Sequence, residues 1–550
     1  MHSYVLRGAR VVDGTGAEER RAEVVVTDGV IEAVAERADV GADVEVVDLD
    51  GLVLAPGFID PHTHYDAQLL WDADATPSSW HGVTTVVTGN CGFGIAPTRA
   101  EHQDTVMRVL ENVEGMPLEA LQAGIPWSFE SFPEYLDAVE ALPLKLNVAA
   151  LLGHTPLRYY VMGDEATERE ATDAEIASMR ALVDEAIVAG AIGFSTSRSM
   201  SHVGAFGHPV PSRAATLAEL TALTEPLRDR RAGYVEATWG PDFHVDEAAA
   251  LAKHLDRPVS WAAIVANLRE PGAAVATAER VVAAGGPVFP QIACRPIVVQ
   301  ITLADPSPFA TAAAFTEALA RPREERAALY AQEDWRRRAA ADLEAQWGPL
   351  LDAGQVAEST RHAHLIDGPT LGEMAAADGR TTVDVMVELA LAEDLQTRFR
   401  VAVVNDDDDQ IAELLQHPDL LLGLSDAGAH TSQLCDANYA TWLLGHWWRE
   451  RGTLSLEQAV WRLTGHPAEV VGIQGRGRIA PGCHADLVAF DPDTVGTGPA
   501  RRVHDFPAGC DRLVAPSTGI VHTWVAGEAI WSDGAAVAGA APGRLLRGGA

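Results

Sequence analysis

The pattern of apolar and polar positions changes character twice along the chain. The first fifty or so residues carry short β-branched runs at 4–6, 9–12, 22–27, 30–34 and 44–49. Asp13-Gly14-Thr15-Gly16 interrupts the series, and Asp28-Gly29 is a two-residue hairpin signal between the third and fourth runs. The same texture returns near the C-terminus at 485–490, 520–525 and 529–531, with Ala526-Gly527 as the last turn. Neither end is long enough for a sandwich by itself. Together they predict one small β-sandwich domain built from both termini.

Between the two ends the rhythm becomes strand, loop, helix. Eight apolar runs, 52–59, 83–87, 144–152, 191–194, 233–237, 258–264, 287–292 and 420–424, each stop where small or polar residues begin. Helical stretches lie between most of them, such as 173–189, rich in Ala, Glu and Leu and closed by Gly190. Continuous apolar strands alternating with helices indicate an α/β fold with a parallel sheet covered on both faces. Eight such units predict a closed (β/α)8, TIM-like barrel with its site at the carboxyl ends of the strands. The interval between the seventh and eighth runs is far longer than one helix needs. Its excess, roughly 301–400, predicts a helical insertion over the barrel mouth, with an extra strand at 399–404. The expected division is 1–54 and 471–550 for the β-sandwich domain and 55–470 for the barrel, with the insertion at about 300–400.

Composition narrows the partners. The chain has 550 residues, 47 % hydrophobic and 22 % charged, enough for a large core. With 41 Lys+Arg against 78 Asp+Glu the formal charge is −37, which argues against binding nucleic acid or an anionic membrane surface. No apolar stretch of the roughly 18 residues that span a bilayer occurs, and the N-terminal residues lack a signal-peptide layout. The five cysteines form no CxxC pair, and a reducing cytoplasm is the expected location.

The residues that follow the runs carry the candidate chemistry. The first run ends in Asp60-Pro61-His62-Thr63-His64. Histidines at i and i+2 on an extended segment point the same way, so both imidazoles can reach one metal; unrelated surface histidines are the alternative. Cys91, flanked by glycines after the second run, reads as a soft metal ligand or nucleophile, against a buried small hydrophobe. The eighth run ends in Ser425-Asp426-Ala427-Gly428-Ala429-His430. An unpaired carboxylate there is costly without a cation, so Asp426 reads as a loose metal ligand and proton shuttle, against a helix N-cap. His154, after the third run, binds substrate or metal or is structural. Arg198 and Arg295, after runs four and seven, hold a substrate carboxylate or pair with one of the many acids. Asn405, after the extra strand, is a candidate to enter the site. His202, His208, His362 and His364 read as surface or lid residues.

These motifs resemble the amidohydrolase superfamily, and within it the D-aminoacylase (N-acyl-D-amino-acid deacylase) branch. The resemblance rests on Ala55-Pro56-Gly57-Phe58-Ile59-Asp60-Pro61-His62-Thr63-His64, Gly89-Asn90-Cys91-Gly92-Phe93, Gly190-Ala191-Ile192-Gly193-Phe194-Ser195-Thr196, the 425–430 segment and Pro481-Gly482-Cys483-His484-Ala485-Asp486-Leu487-Val488. It implies a metal-dependent barrel, hydrolysis of an amide, zinc (Zn2+) as the usual ion, and His62, His64, Cys91 and Asp426 as ligands or base. Family members place metal-binding histidines after strands five and six, where this chain reads Tyr234-Val235-Glu236-Ala237-Thr238 and Ser260-Trp261-Ala262-Ala263. Glu236 can supply an oxygen in place of an imidazole; Trp261 cannot. One metal at most is therefore expected, zinc or another divalent ion, or an altered site built from His62, His64, Glu236 and Asp426 with Cys91 adjacent. Only Lys145 and Lys253 are lysines, one at the wrong end of the third run and one in a predicted helix, which argues against a lysine-bridged pair of metals.

The reading at this level is a hydrolase of a C–N bond in a small, carboxylate-bearing amide, with Asp426 moving the proton. Its rivals keep fold and metal but change the reaction to cyclic amide or imide hydrolysis, cyclisation, deamination or decarboxylation, or make the barrel a silent scaffold. A homo-oligomer is compatible with the resemblance.

Overall fold

Val83-Thr84-Thr85-Val86-Val87-Thr88 illustrates why the strands form: every residue is β-branched and every residue is buried. A computed structural model describes residues 3–41 and 43–548. The first two and last two residues of the predicted terminal segments, and Ala42, lie outside the described residues. The chain divides into two compact units, Met1–Arg295 with Asp408–Ala550, and Pro296–Asp407.

The larger unit is an α/β structure around a curled sheet of eight parallel strands in sequential order. We label these β1 (Phe58–Asp60), β2 (Val83–Thr88), β3 (Asn147–Gly153), β4 (Gly193–Ser197), β5 (Tyr234–Thr238), β6 (Val259–Ile264), β7 (Val288–Ile292) and β8 (Leu421–Leu422). Just past the ends of β1 and β8, Thr63 bridges Ala427 in parallel and the His64 N–H donates to Ala427 O at 2.7 Å. Those bonds set the histidine pair beside the residues after β8. Helices cover the outer face. One of them, Asp173–Ala189, begins with a reciprocal cap between Thr172 and Glu175 and ends at Gly190, φ 118°.

The first predicted run is not one strand. Val53–Pro56 joins a seven-stranded sheet, Phe58–Asp60 joins the curled one, and the change falls at Gly57. A Cβ on Gly57 would stand 2.2 Å from the Thr84 side chain, so only glycine lets the two strands approach. The seven-stranded sheet mixes the termini: Leu487–Phe490 pairs antiparallel with Val53–Pro56 on one side and with Ile520–Val525 on the other. A four-stranded sheet of N-terminal strands lies with it around Leu6, Val24, Leu54, Leu487 and Trp524.

The smaller unit has its own core, with Phe309, Phe315, Tyr330, Trp335 and Phe399 among its buried aromatics. It is less purely helical than the sequence predicts. The expected strand is present as Arg398–Val404, but it sits between Ile297–Thr302 and Gln355–Glu358 in a three-stranded antiparallel sheet. Those two partners are short, and their register comes from long-range pairing that no local pattern announces.

Candidate metal centre

His62, His64 and Cys91 converge, with donor atoms within 4.8 Å of one another and all three side chains buried. Extended backbone after β1 sends both imidazoles to one side, ring centroids 5.3 Å apart. Cys91 sits in a short turn, Asn90–Gly92, with φ 56°, a left-handed conformation that costs a non-glycine residue about 1–3 kcal/mol. It is held there by its own N–H, which donates to Glu236 Oε2 at 2.6 Å. The Cys91 sulfur lies 3.4 Å from His62 Nε2. Asp426, φ 46°, brings Oδ1 to 3.2 Å from His62 Nε2 and 3.8 Å from His64 Nε2, and its side chain keeps 23 % exposure. It is thus the acid at the centre that solvent or substrate can reach.

The other ring nitrogen of His62 is occupied: Gln291 Oε1 lies 2.6 Å from Nδ1, and Gln291 Nε2 donates in turn to Ser260 Oγ at 3.2 Å. A histidine oriented in this way presents Nε2 as the donor to a cation. Burial, then the positive charge of His62, drive His64 down to about 3, so its imidazole stays neutral near pH 7. Burial pushes Asp426 up, but its hydrogen bond to His62 and the charges of His62, His64 and His430 outweigh this and hold it well below the usual carboxylate range. Burial raises Glu236 and Asp60 each to about 7 and the Cys91 thiol to about 12. Glu236 Oε1 and Asp60 Oδ2 are buried without a hydrogen-bond partner. A dry centre with this excess of acids fits a divalent cation, and imidazole, thiolate and carboxylate are zinc donors.

Several predicted residues stand elsewhere. His154 is buried, with Nδ1 2.9 Å from Thr196 Oγ1 and Nε2 3.1 Å from Glu219 Oε1, and Glu219 also pairs with Arg158. Arg198 is engaged by Asp242 and the carbonyls of Ser212 and Ala215. Arg295 meets Asp436 at 3.2 Å, bonds Asn438 and lies over the Trp442 ring, 5.3 Å from its centroid. Asn405, buried with φ 60°, belongs to the smaller unit. Lys145 pairs with Asp74 ahead of β3, and Lys253 in the helix Val245–Leu255 donates to Ala284 O.

His202 corrects the surface reading. Its Nδ1 is 2.7 Å from Ser197 Oγ and its ring packs on Phe93, centroids 5.3 Å apart. Burial, then the charge of His430, pull it down to about 4, with Asp426 acting in the opposite sense. After β5 the structure does hold a histidine, His244, but it caps a helix and packs on Trp261 at 5.1 Å. Sequence reasoning also passed over Gln291 and Glu114. Glu114, 3 % exposed, ends the helix Gln103–Glu114 with Oε2 3.6 Å from His64 Nε2. An acid at the negative end of a helix dipole, and an amide inside an apolar strand, were the available signals.

Residues 45–530 match the amidohydrolase family model. The chain belongs to the amidohydrolase family. This amidohydrolase is 31 % identical over 548 residues to the D-aminoacylase of Alcaligenes xylosoxydans xylosoxydans, covering 98 % of this chain and 97 % of that protein. It is equally 31 % identical to the N-acyl-D-aspartate deacylase of the same organism, over 99 % of this chain and 94 % of the relative. Among solved structures, a D-aminoacylase described as defining a novel subset of amidohydrolases superimposes with TM-score 0.68 at 29 % identity, over 99 % of both chains. The N-acyl-D-glutamate deacylase of Bordetella bronchiseptica, solved with zinc and a phosphonate mimic of the tetrahedral intermediate, gives 0.67 at 27 %, again over 99 % of both. The chain is thus a D-aminoacylase-like hydrolase of carbon–nitrogen bonds other than peptide bonds.

Proposed function

We propose that this amidohydrolase cleaves the amide of an N-acyl amino acid, a small carboxylate-bearing substrate, with one zinc ion as its cofactor. The observation that carries the reading is the meeting of His62, His64, Cys91 and Asp426 past the ends of β1, β2 and β8. His62, His64 and Asp426 would hold the ion, with Cys91 and Glu236 beside them. When bound, such an ion supplies Lewis-acid polarisation of the carbonyl and a nucleophile at neutral pH. Asp426 Oδ1 accepts the proton of the attacking water and returns it to the leaving nitrogen, a role its partial exposure at the centre allows. Gln291 holds the His62 ring in place through Nδ1. Of the candidate carboxylate binders, Arg198, Arg295, His154 and Asn405, the two arginines would have to exchange an internal acid for the substrate.

The same reading assigns 1–54 and 471–550 to one β-sandwich domain and 55–470 to a TIM-like barrel interrupted at about 300–400. The antiparallel pairing of Leu487–Phe490 with Val53–Pro56 and the independent core of Pro296–Asp407 support it.

The test combines metal analysis with a panel of N-acyl-D-amino acids, N-acyl-L-amino acids and cyclic imides. Stoichiometric zinc and turnover of an N-acyl amino acid are expected, both lost in His62→Ala, with Asp426→Asn lowering kcat by about 100-fold or more. Protein purified at neutral pH that takes up no zinc defeats the proposal, and turnover of cyclic imides alone replaces its substrate.

A further inference from the structure

We infer that Glu114 is a further ligand of the metal centre, supplying a carboxylate oxygen beside His64 on the side that Asp426 also approaches. The inference rests on the metal reading above and goes beyond it, since Glu114 comes from a helix after β2 and lies in none of the motifs that carry the resemblance.

Three observations support it. First, Glu114 Oε2 approaches His64 at Nε2, 3.6 Å away, the same nitrogen that Asp426 Oδ1 approaches at 3.8 Å. A residue that only orients a metal-binding ring takes its opposite nitrogen, as Gln291 does at Nδ1 of His62. Glu114 stands with the ligands instead. Second, donors roughly 2.0–2.3 Å from one tetrahedral ion stand about 3.3–3.8 Å apart. The separations here of 3.2 Å (His62 to Asp426), 3.6 Å (His64 to Glu114) and 3.8 Å (His64 to Asp426) are close to that size and involve four donors in all. Third, the position is built. Gly115, φ 58°, ends the helix, a Cβ there would meet His430 Nδ1 at 3.1 Å, and the His430 N–H donates to Glu114 O. The end of the helix is thereby pinned to the segment that carries Asp426. A buried acid at the unfavourable end of a helix is costly unless a cation faces it.

The test is zinc affinity, measured by competition with a chromophoric chelator, on the full-length parent and on Glu114→Gln, which keeps volume and polarity. Affinity is expected to fall at least tenfold. The visible absorption bands of the cobalt(II)-loaded form are expected to change, and the zinc-induced rise in Tm to shrink while the Tm of the metal-free form is retained. A merely structural role would move the metal-free Tm and leave the cobalt spectrum alone. Affinity within twofold of the parent with an unchanged cobalt spectrum overturns the inference. If Glu114→Gln does not fold, Glu114→Asp, which withdraws the carboxylate by one methylene, is judged by the same criteria. A parent protein that takes up no zinc removes the proposed function and this inference together. A parent that binds zinc as tightly as its Glu114 variants removes only the inference.

Discussion

Which nitrogen of an imidazole is already engaged decides what His62 can do. With Nδ1 against Gln291, Nε2 is left to face Cys91 and Asp426. Gln291→Leu should therefore leave the fold intact while weakening zinc binding 10- to 100-fold, as loss of an orienting partner does elsewhere; chelator competition measures it. Glu219 is a second residue whose environment makes a prediction. Burial opposes its ionisation, but the bonds and charges of His154 and Arg158 hold it down at about 2 against an ordinary 4.5. A carboxyl depressed in the folded state adds stability that is complete above about pH 4.5 and vanishes as pH falls toward 2. Glu219→Gln should cost several kcal/mol at pH 7, where it strands buried Arg158, and much less at pH 3. Urea unfolding at the two pH values reads the difference.

At the scale of elements, one glycine lets a single apolar run serve two sheets. Gly57→Ala would drive a methyl into Thr84, 2.2 Å away, and should destabilise by about 1–3 kcal/mol, seen as a lower Tm. The eight strand–helix units were legible because strands buried on both faces are written as uninterrupted apolar runs; all eight observed strands lie within those runs or extend no more than three residues past them. The short strands of the smaller unit were not, since their identity depends on partners 40 or more residues away in the chain, such as Gln355 opposite Arg400. His62, His64, Cys91 and Asp426 were legible because each follows an apolar run directly. Glu114 and Gln291 were not, one lying on a helix and the other inside a strand, places where the usual roles are packing and solvation.

For the whole molecule, the C-terminal tail shows how remote segments are tied together. Val148 N–H donates to Arg544 O and Leu546 N–H to Val148 O, and Arg547 reaches Ala189 O, Asp137 and Glu140. Truncation after Pro542 removes this clamp from β3 and the helix Asp173–Ala189 and should lower the Tm by several degrees, with zinc affinity retained because these tail contacts are with β3, that helix, Asp137 and Glu140 rather than with the centre. No helix among the described residues is long and apolar enough to cross a membrane. The charge of −37 does not make the centre a cation reservoir by itself; what matters there is a handful of acids held away from water.

The sequence by itself determined the α/β class, the order of the strands, the histidine pair, the cysteine and the aspartate, because periodicity and position relative to an apolar run are local properties of the chain. The scarcity of lysine likewise spoke without a structure. Only the tertiary structure decided that His154, Arg198 and Arg295 are tied to internal partners, that His202 turns inward, and that Glu114 meets His64. Those facts depend on which groups share a dry space, and desolvation and charge pairing act across distances in space that the chain order does not record.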